Sequence, residues 1–170
     1  MTHPVLQPIE LKRDARSREI APTIIVDSRE KSPFQFETLP SEVGSLDTAD
    51  YSVKGLTHLI AVERKSVNDL LACVGRERAR FKRELQRLRA YRFRLVVIES
   101  DAATLWTGEW RSKLTPAHVI GSLAAWTAQY CLPMWLGGNA DKAAGFVERY
   151  LYQCARTVAM EAEAVRAIDG

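Results

Sequence analysis

The 170-residue sequence has little cysteine, little histidine and no long apolar run. Its three cysteines, Cys73, Cys131 and Cys154, form no Cys-x-x-Cys pair and cannot all pair with one another. That argues against a disulfide framework or a thiolate zinc site, and the expected setting is a reducing cytoplasm. All three are expected to be small buried apolar residues. His3, His58 and His118 are scattered and support no histidine-based site. No stretch approaches the roughly 18 consecutive apolar residues that a membrane-spanning helix needs. Met1 to Pro22 lacks an apolar signal-peptide core, so secretion is not expected. Net charge is also scarce. Set against 24 basic and 21 acidic residues, the +3 neither demands nor excludes a polyanionic partner.

What is present is a concentration of charge. From Gly75 to Arg94 nine basic residues face two acids, Glu77 and Glu84, a net +7 that leaves −4 for the rest of the chain. Length allows one domain. Residues 1–21 read as a flexible N-terminal arm and residues 22–170 as a single domain. Apolar strands are expected at Thr23–Val26 before Asp27, Ser41–Asp47, Asp50–Val53, Leu59–Lys65, Leu95–Ile98 and Pro133–Leu136. Ser66 with Asp69 has capping-box spacing and starts a short helix ending near Gly75. A longer basic helix follows with Phe81, Leu85, Leu88 and Arg92 on one stripe. Thr115-Pro116 starts another, with Val119, Leu123, Trp126 and Tyr130 on its apolar face. Asn139 caps a long C-terminal helix. The predicted class is α/β, with a central sheet and helices on both faces.

The acids fall at strand ends. Asp27 ends the first strand, Asp50 opens a short one, and Glu63 and Lys65 share a third. Alternation along a strand points Glu63 and Lys65 the same way, about 6.6–7 Å apart, and Arg64 the other. Crowded carboxylates repel one another, and a hard divalent cation such as Mg²⁺ or Mn²⁺ relieves that repulsion. Such a cation polarises a phosphodiester and activates bound water, while Lys65 can position that water or stabilise charge developing on phosphorus.

These residues resemble a known family. Asp50…Glu63-x-Lys65 is similar to the PD-(D/E)xK nucleases. More narrowly, Asp27-Ser28-Arg29-Glu30, Ala49-Asp50-Tyr51 and Glu63-Arg64-Lys65-Ser66-x-x-Asp69 resemble the GDxnERKx3D signature of the XPF-type structure-specific endonuclease domain. The one departure is Ala49, where that family has glycine. Gly75-Arg76 is similar to the Gly-Arg that opens its basic helix. The resemblance covers roughly residues 23–138. It implies a restriction-endonuclease-like mixed sheet, dependence on Mg²⁺ or Mn²⁺, and cleavage of branched DNA such as flaps and forks in repair or recombination. By position it implies Asp27, Asp50 and Glu63 as metal ligands and Lys65 as the catalytic lysine. Arg29, Glu30, Arg64 and Asp69 would support the site. Asp69 can equally serve the Ser66 cap, Arg64 a structural ion pair, and Arg29 and Glu30 each other.

The basic segment is expected to contact DNA phosphates through Arg76, Arg80, Lys82, Arg83 and Arg87, without reading bases. The resemblance further implies a homodimer, and any face of Trp126 and Tyr130 left bare by the sheet would supply its surface. No room is seen for a helix-hairpin-helix or helicase module. A stand-alone nuclease domain of bacterial or phage type, with a separate helicase or DNA-binding partner, is therefore expected. The alternatives are a catalytically silent DNA-binding and dimerisation partner on the same fold, or a junction-resolving PD-(D/E)xK nuclease.

Overall fold

In the computed structural model, residues 8–14, 16 and 18–168 are described. Ile24-Ile25-Val26-Asp27 is β1, fully buried as its β-branched run predicts. It pairs in parallel with β2 (Ser41–Gly44) and antiparallel with β3 (Tyr51–Val53). Next come β4 (Ile60–Lys65), antiparallel to β3, and β5 (Phe93–Ile98) and β6 (Met134–Leu136), which continue in parallel. The result is one mixed six-stranded sheet in the order β2-β1-β3-β4-β5-β6.

Strand alternation sorts the core into two layers. Ile24, Val26, Tyr51, Val53, Ile60, Val62, Leu95 and Val97 face the 29-residue α5 (Ala140–Ile168), which covers them with Ala143, Val147, Leu151 and Cys154. Ala61, Val96 and Ile98 face α1 (Val67–Val74), α2 (Arg78–Leu88) and α4 (Pro116–Tyr130). Burying each large aliphatic side chain contributes about 1.5–3 kcal/mol. Helix ends follow the local chemistry. The Ser66 hydroxyl accepts from the Asp69 N–H at 3.2 Å, and Thr115 with Pro116 starts α4. Asn139 Oδ1 accepts from the Lys142 N–H at 2.9 Å. Gly137 lies so close to α5 that a Cβ there would meet Ala143 Cβ at 2.7 Å.

Several expectations change. The second strand stops at Gly44 rather than Asp47, because the Leu46 N–H turns inward to Asp27. The basic helix stops at Leu88, so Arg92 lies in the turn to β5. There Arg92 pairs bidentately with Glu161 of α5, and Arg94 donates to the Tyr91 carbonyl at 2.8 Å. A short helix, α3 (Ala102–Thr107), was not expected; Asp101 caps its start and left-handed Gly108 its end. Trp126 is 1% exposed, edge-on to Phe81 at 5.1 Å, and Tyr130 is buried. That face belongs to the core, so the condition for a dimer surface there, a face left bare, is not met. Cys73 and Cys154 are buried as expected, but Cys131 is exposed at the left-handed C-cap of α4.

The described part of the expected arm packs on α5. The Lys12 N–H donates to the Tyr152 hydroxyl at 2.7 Å, and Ile9, Leu11 and Ile20 lie against the core. Residues 1–7, 15 and 17 of that arm lie outside the described residues.

Candidate functional site

Register brings the three acids into one row. Val26 lies opposite Tyr51, and Tyr51 opposite Val62. One step further along each pair are Asp27, Asp50 and Glu63. The Asp27 N–H donates to the Asp50 carbonyl at 2.8 Å, and the Asp50 N–H to the Val62 carbonyl at 3.0 Å. Val26, Tyr51 and Val62 face α5, so alternation turns the three carboxylates to the α1–α2 side. Lys65 follows on that side. Its ammonium lies 2.5 Å from Glu63 Oε1 and 5.0 Å from the centre of the Phe81 ring. Glu63 and Lys65 therefore point together, as the spacing predicts.

Arg64 points to the opposite side. Its guanidinium stacks on Phe34 at 4.3 Å, lies 3.6 Å from Glu30 and bonds Glu99 and the Ser32 carbonyl. Phe34 stacks on Tyr51, whose hydroxyl accepts from the Phe34 N–H. Burial pushes that hydroxyl up to about 12. Arg64 thus pins the β1–β2 loop, while its own N–H donates to Asp50 Oδ2 at 2.7 Å.

The carboxylates differ in state. Asp27 is 3% exposed, and burial works to raise its pKa. Donation from the Arg29 guanidinium and from the backbone N–H groups of Leu46 and Arg29 outweighs that, and the carboxyl is held below its ordinary range. Asp50 is pushed up to about 7, first by burial and then by the charge of Glu63, against the single Arg64 N–H and the Lys65 charge. Burial also raises Glu63, with Lys65 opposing. Lys65 stays protonated because the Glu63 charge and hydrogen bond outweigh its burial.

A cleft of about 420 Å³ opens on Asp50 and is walled by Arg29, Glu30, Lys31, Arg64, Ser66 and Asp69. Asp69 fills the expected capping role. It completes the start of α1 and accepts from the Ser66 hydroxyl at 2.6 Å on the cleft wall. The donor set suits a hard cation, since Asp50 and Glu63 are crowded oxygen ligands whose ionisation is costly without one. Among the described residues, however, no three acidic, histidine or cysteine side chains are gathered for a metal ion. Asp27 is in the row, but Arg29 and Leu46 engage both of its oxygens.

The expected phosphate contacts divide. Arg80, Arg83 and Arg87 share one face of α2 by helical spacing. Arg80 is engaged by Glu77 and Glu84, and Arg87 reaches Thr48 Oγ1 at 3.1 Å. Arg76 precedes the helix and is 83% exposed, with Glu77 at 3.7 Å. Lys82 is half-buried and Arg83 exposed. Arg78, Arg92 and Arg94 bind within the fold. Three acids escaped the sequence reading: Glu84, Glu99 and Glu148. Glu148 accepts from the Thr38 and Leu39 N–H groups at 2.7 Å each. Only Glu84 carried a signal, as an acid beside the apolar stripe of a basic helix.

Ala49 is in a backbone conformation that glycine adopts more readily. Its φ is +70°, the left-handed region, just before Asp50.

A mixed sheet flanked by helices, with a row of carboxylates and a lysine across adjacent strands, defines an α/β class, and comparison narrows it. The ERCC4 domain family model matches residues 17–150, and the chain belongs to that family. XPF from Aeropyrum pernix in complex with DNA shares the fold, with a TM-score of 0.61 at 19% identity over 80% of this chain and 66% of that one. A second structure of XPF from Aeropyrum pernix gives 0.62 at 19% identity, over 78% and 61%. The chain thus spans 61–66% of the length of these XPF chains. No curated protein matches the chain in sequence.

Proposed function

We propose that this chain is a divalent-metal-dependent endonuclease that hydrolyses phosphodiester bonds in branched DNA of flap or fork type. The observation that carries it is the Asp27–Asp50–Glu63 row with Lys65 beside Glu63, in a chain of the ERCC4 family. Asp50 and Glu63 would hold Mg²⁺ or Mn²⁺, with Asp27 as a third candidate ligand. That ion would supply phosphate polarisation and a more acidic water. Lys65, protonated and on the same face as the carboxylates, would offer a positive charge to the phosphate. Arg64 and Phe34 fix the β1–β2 loop that walls the cleft, and Arg29 holds Asp27 in register. Arg76, Arg83 and Arg87 would take DNA phosphates beside it.

Residues 22–170 act as one nuclease unit in this reading. Branch selectivity comes from a homodimer, from the arm of residues 1–21, or from a separate helicase or DNA-binding partner. The silent-partner alternative draws on Asp27, whose oxygens Arg29 and Leu46 already engage. One experiment separates the two: labelled flap, fork, four-way junction and linear duplex DNA incubated with Mg²⁺ or Mn²⁺. Nicking near the branch of flap or fork is the expected result. Cutting chiefly of the four-way junction would favour a resolvase, and no cutting of any substrate in either metal would overturn the enzyme reading.

A further inference from the structure

Lys65 is not held by Glu63 alone. Glu84 reaches it from α2, a different element. Its Oε2 lies 4.0 Å from the Lys65 ammonium, is buried and has no hydrogen-bond partner. Its Oε1 accepts from Arg80 at 2.7 Å. The Glu84 side chain is only 17% exposed. A buried carboxylate oxygen without a donor is costly, so its position beside an ammonium needs a reason.

We propose that Glu84 is a positioning residue for Lys65, the second acceptor that lets the ammonium leave Glu63 when Glu63 takes a cation. The inference rests on the metal-site reading above. In the present arrangement Lys65 lies on Glu63 Oε1 at 2.5 Å and so occupies an oxygen that a cation would need. Release of that oxygen requires a nearby anion for Lys65, because an unpaired buried ammonium is strongly disfavoured. Glu84 Oε2 is that anion. Arg80 holds the other oxygen and keeps the carboxylate aimed inward. Glu84 thus joins the carboxylate row to the basic face of α2.

The test is Mn²⁺ affinity by calorimetry, without DNA and without turnover, in a double-mutant cycle. Glu84→Gln is nearly isosteric, and Glu84→Ala removes the acceptor altogether. Melting by circular dichroism verifies that each variant folds. Either is expected to weaken Mn²⁺ binding about tenfold, as for other outer-sphere partners. In the Lys65→Ala background, where no ammonium competes for Glu63, the same changes are expected to shift affinity less than about twofold. Full persistence of the tenfold loss in that background would assign Glu84 to simple through-space charge and overturn the proposal. Unchanged affinity in Glu84→Gln would overturn it too. Absence of Mn²⁺ binding in the wild type would instead overturn the metal-site reading beneath it. These failures are therefore distinguishable.

Discussion

Asp27 and Asp50 are neighbours across two strands, yet their carboxyl pKa values are shifted in opposite directions. Asp27 is the more buried and is held below the ordinary range; Asp50 is half-buried and is pushed up to about 7. Burial acts in the same direction on both. At Asp50 burial is the largest influence and is little opposed; at Asp27 the donors outweigh it. Asp27 receives the Arg29 guanidinium and two backbone N–H groups, whereas Asp50 receives one N–H and faces the charge of Glu63. One carboxylate is satisfied by the fold, and the other is left needing a counter-charge.

The strongest way to break this comparison is Asp50→Asn. In the proposed enzyme it is expected to lower cleavage of flap DNA about a thousandfold while DNA affinity, read by fluorescence anisotropy, stays within about twofold. Cleavage at wild-type rate would remove Asp50 from the site. Asp27→Ala is expected to cost about 2–4 kcal/mol in urea unfolding, because the Leu46 and Arg29 N–H groups lose their acceptor. Asp27→Asn, which keeps one acceptor, should cost about half as much.

Stability against pH should separate the pair in the metal-free protein. The Asp50 pKa is raised from its unfolded value of about 3.9, so its contribution is full below about pH 4 and is lost as pH rises through about 7. Asp50→Asn is therefore expected to stabilise the metal-free fold by on the order of 1–3 kcal/mol at pH 8 and hardly at all at pH 4. Asp27 has the opposite sign. Its pKa is lowered, so its contribution is present above about pH 4 and is lost as pH falls below that. Thermal melts of both Asn variants across pH 3–8 check the two signs, and parallel curves would refute the contrast.

A smaller effect concerns the turn that presents Asp50. Ala49→Gly should relieve the left-handed strain, offset in part by unfolded-state entropy, for a net gain of about 0.5–1 kcal/mol in chemical denaturation. The smallest carries the same lesson to the arginines. Arg83→Ala should reduce the slope of log affinity against log salt for DNA by about 1, whereas Arg92→Ala, whose partner is Glu161, should leave it unchanged.

Much of the site was legible because strand alternation is local. Glu63-x-Lys65 had to share a face, Arg64 had to oppose them, and Ser66 had to start a helix whatever the rest of the chain did. Ala49 was visible as a departure, but its left-handed conformation was not. Glu84, Glu99 and Glu148 were not legible, because each acts on partners 15 or more residues away through a packing that no local pattern encodes. How the basic segment divides was not legible for the same reason. Nine positive residues look alike in sequence, but Arg78, Arg80, Arg92 and Arg94 already have partners within the chain.

The sequence by itself determined which residue types reach the ends of which strands, since side-chain period and helix caps depend only on near neighbours. It also determined the family, through the fixed spacing of Glu63, Arg64, Lys65 and Asp69. Tertiary structure alone decided that Asp27, Asp50 and Glu63 fall in one row, because that depends on register between strands distant in the chain. It decided too which of those acids is left unsatisfied, because a carboxyl's state is set by the donors and charges that folding brings within a few ångströms.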